Sequence, residues 1–356
     1  MSATATPDPA SVSRVLLVRP RFMGDVCLTL PTLDAVRAVC PSARVAYVVE
    51  RESAPLLEGD PRVDELITVP RSPGPIATLK LLGALRRFKP EVAFDFFCNP
   101  RTAQWTWMSG AKTRVGYADK GWRSSLYTHH SRPRTLSAVG FHLNSLATLG
   151  WPVPAAPVPK LHVLPEVLER ARAALQELVV PRDAVMVGFH PGARWPTRRW
   201  APENFVALAK RFLEAEPKGM ALITAGPGEA RTATLMVAAL GDRARLIEEW
   251  PLARFVALQS LCRAFVCGDT GPLHSAVASG APTLALMSRN RPAMFFPYAD
   301  SDTRRAYYTH AECSPCDRDV CGDLRCLRTM NPDGAWKLLE TLLARGRATP
   351  AVAAAG

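Results

Sequence analysis

The amino-acid sequence predicts an α/β protein with two domains, each built on a mostly parallel β-sheet covered by helices. The 356 residues exceed the size of one ordinary hydrophobic core. Short apolar runs alternate with amphipathic stretches of helical length, which is typical of parallel sheets with helices on both faces. This alternation occurs twice, and the proline-rich residues 151–165 separate the two series.

The hydrophobic periodicity places the individual elements. In the first series we predict strands at 14–18, 45–49, 65–69, 92–96 and 113–116, and helices at 28–39, 53–57, 76–88 and 136–149. In the second we predict strands at 184–189, 220–224, 245–247 and 264–267, and helices at 166–178, 202–214, 230–239, 253–262 and 272–279. The predicted divisions are an N-terminal domain at 13–155, a linker and connecting helix at 156–182, and a C-terminal domain at 183–346. The tail from Ala348 is predicted to be disordered.

One stretch of the second series, residues 264–274, predicts an anion-binding turn. An apolar run ends in Gly268-Asp269-Thr270-Gly271, and helical character follows. Such a turn directs backbone N–H groups and the positive end of a helix dipole at one spot, where a phosphate is the natural occupant. Thr270 and His274 lie four residues apart, so one helical face would carry a hydroxyl and an imidazole beside the anion. The alternative is a capped surface turn with a solvated histidine.

Ligands of open parallel sheets bind beyond the carboxyl ends of the strands. We therefore expect four turns to converge on one cleft between the domains, at residues 24–25, 190–199, 226–229 and 268–274.

The charge balance points to a polyanionic partner. The 44 Lys and Arg against 32 Asp and Glu give a net charge of +12, which suits a nucleotide, an acidic glycolipid or an anionic membrane surface. The basic residues are scattered, which argues against a nucleic-acid groove. The basic loop 120–134, with His129 and His130, is either a glycolipid contact or a solvated surface.

Residues 1–13 do not resemble a signal peptide and no apolar run approaches the roughly 20 residues of a membrane span, so we predict a cytoplasmic protein that touches a membrane at most peripherally.

Four sequence blocks, in the same order along residues 13–345, resemble those of glycosyltransferase family 9, the ADP-heptose:lipopolysaccharide heptosyltransferases. They are Val18-Arg19-Pro20-Arg21-Phe22-Met23-Gly24-Asp25-Val26, His190-Pro191-Gly192-Ala193 with Arg198-Arg199-Trp200, Gly268 to His274, and the cysteine block 313–326. The resemblance implies a GT-B fold, two Rossmann-like domains with parallel sheets facing across a cleft. It also implies an inverting, metal-independent transfer of heptose from ADP-heptose to lipid A-Kdo or a heptosyl acceptor, at the cytoplasmic face of the inner membrane and without a cofactor.

The acceptor is expected in the first domain. An inverting transfer needs a base for the acceptor hydroxyl, and Asp25, in the first βα turn, is the candidate catalytic residue. Its alternative role is a helix cap. Arg19, Arg21 and Gly24 are the candidate acceptor-binding residues, where the two arginines would pair with a carboxylate or phosphate. Solvated surface arginines are the alternative.

The nucleotide sugar is expected in the second domain. The candidate donor-binding residues are Gly192, Ala193, Arg198, Glu229, Asp269, Thr270, Gly271 and His274. Glu229 is suited to ribose hydroxyls, or else to a helix cap. Arg198 stands where the family has a lysine, which keeps the charge in a planar fork, and an exposed arginine is the alternative.

The cysteines fall into two groups. Cys27, Cys40, Cys98, Cys262 and Cys267 lie in apolar or helical contexts and are predicted to be buried thiols. Cys313, Cys316, Cys321 and Cys326 have a spacing that suits a structural zinc site, an iron–sulfur cluster, disulfides or free thiols.

Two other functions stay open from the sequence. One is a GT-B transferase or epimerase that uses another nucleotide sugar, such as a UDP-sugar. The other is a non-catalytic nucleotide- or anion-binding protein. A dinucleotide oxidoreductase is disfavoured because the first strand is not followed by Gly-x-Gly-x-x-Gly.

Overall fold

The computed structural model describes residues 6–155, 157–298, 301–316 and 318–346. It divides into two compact units, Met1–His162 and Val163–Gly356, here called the N-terminal unit and the C-terminal unit. The division lies within the predicted linker, whose helix belongs to the C-terminal unit. The predicted tail from Ala348 lies outside the described residues.

The N-terminal unit contains one six-stranded sheet in the order β3-β2-β1-β4-β5-β6, with all neighbouring strands parallel. Its elements are β1 (Arg14–Val18), α1 (Met23–Val39), β2 (Arg44–Glu50), β3 (Glu65–Val69), α2 (Pro75–Phe88), β4 (Val92–Asp95), α3 (Pro100–Met108), β5 (Thr113–Tyr117), β6 (His129–Ser131) and α4 (Ala138–Ala147).

The C-terminal unit repeats the design with the strand order β12-β11-β10-β7-β8-β9, again parallel throughout. Its elements are α5 (Pro165–Glu177), β7 (Val185–His190), α6 (Pro202–Ala215), β8 (Gly219–Ala225), α7 (Ala230–Leu240), β9 (Ala244–Glu248), α8 (Leu252–Leu261), β10 (Ala264–Gly268), α9 (Gly271–Ala278), β11 (Thr283–Met287), α10 (Pro292–Phe295), β12 (Arg304–Tyr308), α11 (Arg325–Arg328) and α12 (Pro332–Gly346). The α/β fold class is confirmed.

The central strands of both sheets are covered on both faces, as their sequences require. The central strands β1 and β10 are continuous apolar runs, and residues 15–18 and 264–268 are buried. Central strands of parallel sheets are apolar along their whole length because helices pack on both faces of the sheet. The five cysteines predicted in apolar contexts are buried, as expected.

Each sheet has one point where the strand order reverses. In the N-terminal unit the reversal lies between β1 and β4, and in the C-terminal unit it lies between β7 and β10. The loops that leave two such strands diverge, and the crevice at the carboxyl ends is where doubly wound sheets bind ligands. We therefore expect ligand-binding residues in the loops after β1, β4, β7 and β10.

The structure differs from the predicted elements at several places. Helix α1 begins at Met23 rather than at residue 28, and it contains Pro31. Residues 53–57 form only a 3₁₀ turn, Ala54–Leu56. Helix α3 was not expected, because its Thr- and Trp-rich sequence has low helix propensity. The basic loop 120–134 contains a 3₁₀ helix and the short strand β6, and so is not entirely a loop. Strands β11 and β12 and helices α10 to α12 also lie outside the predicted elements.

Candidate active site

Asp25 lies in the first turn of α1, directly beyond the end of β1. Its Oδ1 is 2.6 Å from Nη2 of Arg19, and its Oδ2 accepts a 3.2 Å hydrogen bond from the backbone N–H of Phe22. The second contact is a capping interaction, so the alternative role predicted for this carboxylate is realised. The side chain still keeps 37% of its exposure, so the carboxylate remains accessible to a ligand.

Arg19 joins the two loops at the reversal point of the N-terminal sheet. The residue is only 8% exposed. Its Nη1 donates to the carbonyl oxygen of Phe96, just after β4, and its guanidinium lies 5.0 Å from the ring centroid of Phe97. The sequence predicted an acceptor ligand here, whereas the structure places the guanidinium against the Asp25 carboxylate.

Arg21 occupies a more open position on the same loop. Its Nε is 3.6 Å from Oε1 of Glu50, which ends β2. Its guanidinium also lies over the rings of Phe22 and Phe97, at 5.3 and 5.6 Å. Burial raises the pKa of Glu50, and nearby arginines oppose this shift. Gly24 is buried in the first turn of α1.

Two further arginines, Arg71 and Arg101, were not singled out from the sequence. Arg101 Nη1 donates to the carbonyl oxygen of Arg71 at 3.1 Å, and the Arg71 guanidinium lies 6.0 Å from the Phe22 ring. Both act electrostatically on Glu50 together with Arg21. The available signal was position: Arg71 follows β3 and Arg101 begins α3, at the same sheet edge as Asp25. Three arginines are thus grouped around Glu50, with Glu52 as a second carboxylate nearby, and the remaining positive charge favours an anionic ligand.

In the C-terminal unit, Arg198 and Asp269 connect the loops after β7 and β10. Arg198 Nη1 donates to the Asp269 carbonyl oxygen at 2.9 Å and lies 3.3 Å from its Oδ2. Asn290 Nδ2 donates to the same Oδ2 at 2.9 Å. An added Cβ at Gly268 would lie 2.6 Å from the Arg198 carbonyl oxygen, so the close approach of these loops requires glycine.

Three buried polar atoms in this group are unsatisfied. Arg198 Nε, Asp269 Oδ1 and Asn290 Oδ1 have no hydrogen-bond partner among the residues that the structure describes. Buried polar groups in folded proteins are nearly always paired. A buried donor and two buried acceptors left unpaired at one sheet edge are suited to a polar ligand or to ordered water. Asn290, which follows β11, was missed because that strand was not predicted.

The start of α9 differs in detail from the prediction. Thr270 precedes the helix in an extended conformation, its side chain does not cap the helix, and Gly271 is the first helical residue. Thr270 and His274 therefore do not share a helical face. His274 is 5% exposed, with Nδ1 at 3.3 Å from the Tyr298 hydroxyl, so the solvated-histidine alternative is wrong. Pro272 has no N–H, and the N–H of Leu273 donates to the Thr270 carbonyl oxygen at 3.1 Å. The N–H of Gly271 is therefore the group at the start of α9 that is suited to an anion.

Glu229 lies in the turn after β8, and its Oε2 accepts a 2.9 Å hydrogen bond from the N–H of Gly226. Although it stands at the N-cap position of α7, its side chain makes no capping bond to that helix. Gly192 borders the Glu229 carboxylate, and Ala193 is buried, with its carbonyl oxygen accepting from Arg199 Nε at 2.7 Å. The loops after β7 and β8 thus come together here.

The cysteine block lies beside the same loops. Cys313 is exposed, Cys316 and Cys321 are partly buried, Cys326 is buried, and all four thiols are free. Backbone N–H groups of Leu324 and Asp323 lower the pKa of Cys321. No group of three His, Cys, Asp or Glu side chains suited to a metal ion was found within the described ranges. The zinc site stays a prediction, which metal analysis of anaerobically purified protein tests.

Other residues of the cysteine block bind the loops after β7 and β11. Thr197 Oγ1, next to Arg198, donates to the Arg318 carbonyl oxygen at 2.9 Å. Arg289, next to Asn290, forms an ion pair with Asp319. The block therefore supports the loops that carry Arg198 and Asn290.

Two Rossmann-like units, each built on a parallel six-stranded sheet, define a protein of the GT-B fold class. The model of glycosyltransferase family 9 (heptosyltransferase) matches residues 79–324, more than half of the chain. The chain belongs to this family, whose members act in building the lipopolysaccharide core.

Known proteins agree with this assignment. Lipopolysaccharide heptosyltransferase 1 of Pseudomonas aeruginosa is 27% identical over 363 residues, covering 93% of this chain and 98% of that protein. The solved structure of a family 9 glycosyl transferase from Veillonella parvula has a TM-score of 0.83 at 21% identity, covering 96% of this chain and 99% of the other. E. coli ADP-heptose lipopolysaccharide heptosyltransferase II has a TM-score of 0.78 at 20% identity, with 94% and 99% covered. At these identities the solved structures show a shared fold.

Among the described residues, no helix has both the length and the apolar character to span a bilayer.

Proposed function

We propose that the C-terminal unit binds an ADP-sugar, with ADP-heptose as the donor, and that the N-terminal unit binds the acidic inner core of lipopolysaccharide, lipid A-Kdo or a heptosyl acceptor. The observation that carries the donor half is the set of unsatisfied buried atoms on Arg198, Asp269 and Asn290 beside the start of α9. The names of similar proteins support the choice of sugar and acceptor, since they include lipopolysaccharide heptosyltransferases and an ADP-heptose-dependent enzyme.

Each part of the proposed ADP-sugar has a suitable binding partner in the C-terminal unit. The diphosphate would accept hydrogen bonds from the Gly271 N–H at the start of α9 and from the Arg198 guanidinium. The Glu229 carboxylate would accept from ribose hydroxyls. Asp269 Oδ1 is an open acceptor, and a hydroxyl of the transferred sugar would satisfy it.

The proposed transfer inverts the anomeric carbon. The acceptor hydroxyl oxygen attacks this carbon from the face opposite the diphosphate, while its proton passes to the Asp25 carboxylate. The bond between the anomeric carbon and the diphosphate oxygen breaks, and ADP leaves with the electron pair. Arg198 and the Gly271 N–H at the start of α9 stabilise the developing negative charge, and fixed donors of this kind contribute about 10²- to 10³-fold each. In this proposal no metal is required.

The acceptor's negative charges account for the arginines of the N-terminal unit. Arg21, Arg71 and Arg101 would pair with a Kdo carboxylate or a core phosphate, while Glu50 holds them in place. A lipid-linked acceptor would bring the enzyme to the cytoplasmic face of the inner membrane as a peripheral protein.

A calorimetric panel of ADP, UDP, GDP and NAD tests the donor assignment. We expect ADP to bind best and Arg198→Met to weaken it about tenfold or more, the equivalent of at least about 1.4 kcal/mol. Arg172→Met, at an exposed position of α5, is the matched control and should leave binding unchanged. Preference for UDP or GDP would contradict ADP-heptose and indicate another nucleotide sugar. Absence of binding would favour a non-catalytic protein.

A further inference from the structure

The carboxylate of Glu229 lies in a cradle formed by three residues: His190 at the end of β7, Gly192 in the loop after β7, and Gly226 in the loop after β8. The N–H of Gly226 occupies Oε2 at 2.9 Å. His190 Nε2 lies 3.6 Å from the same oxygen. Since Oε2 faces both groups, Oε1 is the oxygen left for a ligand.

The imidazole of His190 is fixed in its orientation. The residue is 6% exposed, and its Nδ1 lies 2.9 Å from Oγ1 of Thr224 on the neighbouring strand. Its ring also meets the ring of Phe255 edge to face, with centroids 6.5 Å apart. Because Nδ1 is engaged with Thr224, the Nε2 edge is directed at the Glu229 carboxylate. Burial lowers the pKa of His190, and Glu229 opposes this shift.

Gly192 provides the space that the carboxylate fills. A Cβ built on Gly192 would lie 2.0 to 2.2 Å from the three carboxylate atoms of Glu229. Real Cβ atoms do not approach other atoms so closely, so any side chain here would displace the carboxylate. The contact is with the end of a side chain, and Gly192→Ala is therefore expected to move Glu229 rather than to unfold the loop.

We propose that His190 and Gly192 are positioning residues that hold Glu229 for hydrogen bonding to the ribose, and that they thereby determine the preference for ribonucleotides over deoxynucleotides. This inference rests on the proposed function of the C-terminal unit. Neither residue needs to touch the ligand. Loss of either one leaves the carboxylate present but wrongly placed, which affects ribose recognition more than the binding of the diphosphate.

Calorimetric titration with ADP, 2′-deoxy-ADP and 3′-deoxy-ADP tests the proposal. We expect the unmodified protein to bind ADP about tenfold more tightly than at least one deoxy analogue, the value of one or two good hydrogen bonds. Glu229→Gln, His190→Phe and Gly192→Ala should each bring this ratio toward one. Combining His190→Phe with Glu229→Gln should reduce it no further. His190→Gln, whose amide reaches the position of Nε2, should retain part of the discrimination, and Glu214→Gln on α6 should retain all of it.

The possible results distinguish a failure of this inference from a failure of the proposed function. If Glu229→Gln removes the discrimination while His190→Phe and Gly192→Ala leave it intact, the positioning role is wrong and the donor site stands. If the unmodified protein binds all three ligands equally, the inference is wrong although ADP binds. If ADP does not bind at all, the proposed function itself is contradicted. Thermal unfolding of each variant identifies a loss of folding, and Gly192→Ala provides the test if His190→Phe fails to fold.

Discussion

Nη2 of the buried Arg19 lies 2.6 Å from Oδ1 of Asp25, and the same guanidinium donates to the carbonyl oxygen of Phe96 after β4. The candidate base is therefore attached to both loops at the reversal point of its sheet. A carboxylate fixed in this way loses little side-chain freedom when an acceptor binds. Arg19 thus helps to orient Asp25. The sequence predicted a different role for it, in binding the acceptor, and that role stays a prediction.

Asp25→Asn should remove the base while preserving the contact with the Phe22 N–H. We expect kcat to fall about 10²- to 10⁴-fold, the usual contribution of a positioned base. The affinity for ADP should stay unchanged because the proposed donor residues lie in the other unit. Steady-state transfer and nucleotide titration on the same preparation measure both quantities. Full turnover by the variant would rule out Asp25 as the base.

Arg19→Met tests whether this arginine orients Asp25 or binds the acceptor. An orienting role predicts a kcat about tenfold or more lower with little change in the acceptor KM. Arg19→Lys, which keeps a cation but loses the fork, should recover part of the rate. A raised acceptor KM at unchanged kcat would instead support direct binding of the acceptor.

Arg71→Ala should weaken the binding of the acceptor and leave the binding of ADP unchanged. Its guanidinium is exposed and belongs to the group of arginines around Glu50. We expect the acceptor KM to rise about tenfold, since charge-assisted hydrogen bonds contribute about 1.5–3 kcal/mol. ADP affinity should not change. Arg87→Ala, at an exposed position of α2, is the control. Equal effects of the two substitutions would indicate a general charge effect rather than a site.

Stability should fall as the pH drops below about 6.5. Burial lowers the pKa of His142 and of His190 below the ordinary histidine value of about 6.5, so both stay neutral in the folded state while the unfolded chain takes up protons. Each such histidine contributes stability above this pH and loses about 1.4 kcal/mol per pH unit below it, until the folded-state pKa is reached.

Urea unfolding at pH 7.5, 6.0 and 5.0 measures this effect. His142→Gln keeps an acceptor for the Tyr117 hydroxyl, which lies 2.6 Å from His142 Nδ1, but removes the titrating group. Its free energy of unfolding should therefore depend less on pH. The same dependence in both proteins would show that His142 does not contribute.

Most of the fold could be read from hydrophobic periodicity because parallel strands are continuous apolar runs. Strands β1 and β3 match their predicted bounds. Helix α3 and strand β6 were missed because tertiary packing overrides weak local propensity: Trp105 of α3 is buried in the core, and β6 has only three residues.

The candidate site was predicted in part. Asp25, Arg198, Asp269 and Glu229 follow glycine-rich or strand-ending motifs, so sequence position alone placed them at the edges of the sheets. Arg71, Arg101 and Asn290 occur in no such motif, and only the sheet order brings them to the same places. The pairing of Arg19 with Asp25 depends on side-chain directions that spacing does not fix.

The decisive experiment for the proposed reaction is the transfer of labelled heptose from ADP-heptose to lipid A-Kdo and, separately, to lipid A-Kdo that already carries heptose, with EDTA present. The proposed reaction predicts product with at least one acceptor at the rate seen without EDTA, an anomeric configuration opposite to that of the donor by NMR, and loss of product with Asp25→Asn. Absence of transfer from ADP-heptose by the folded, ADP-binding protein, or a product with retained configuration, would contradict it.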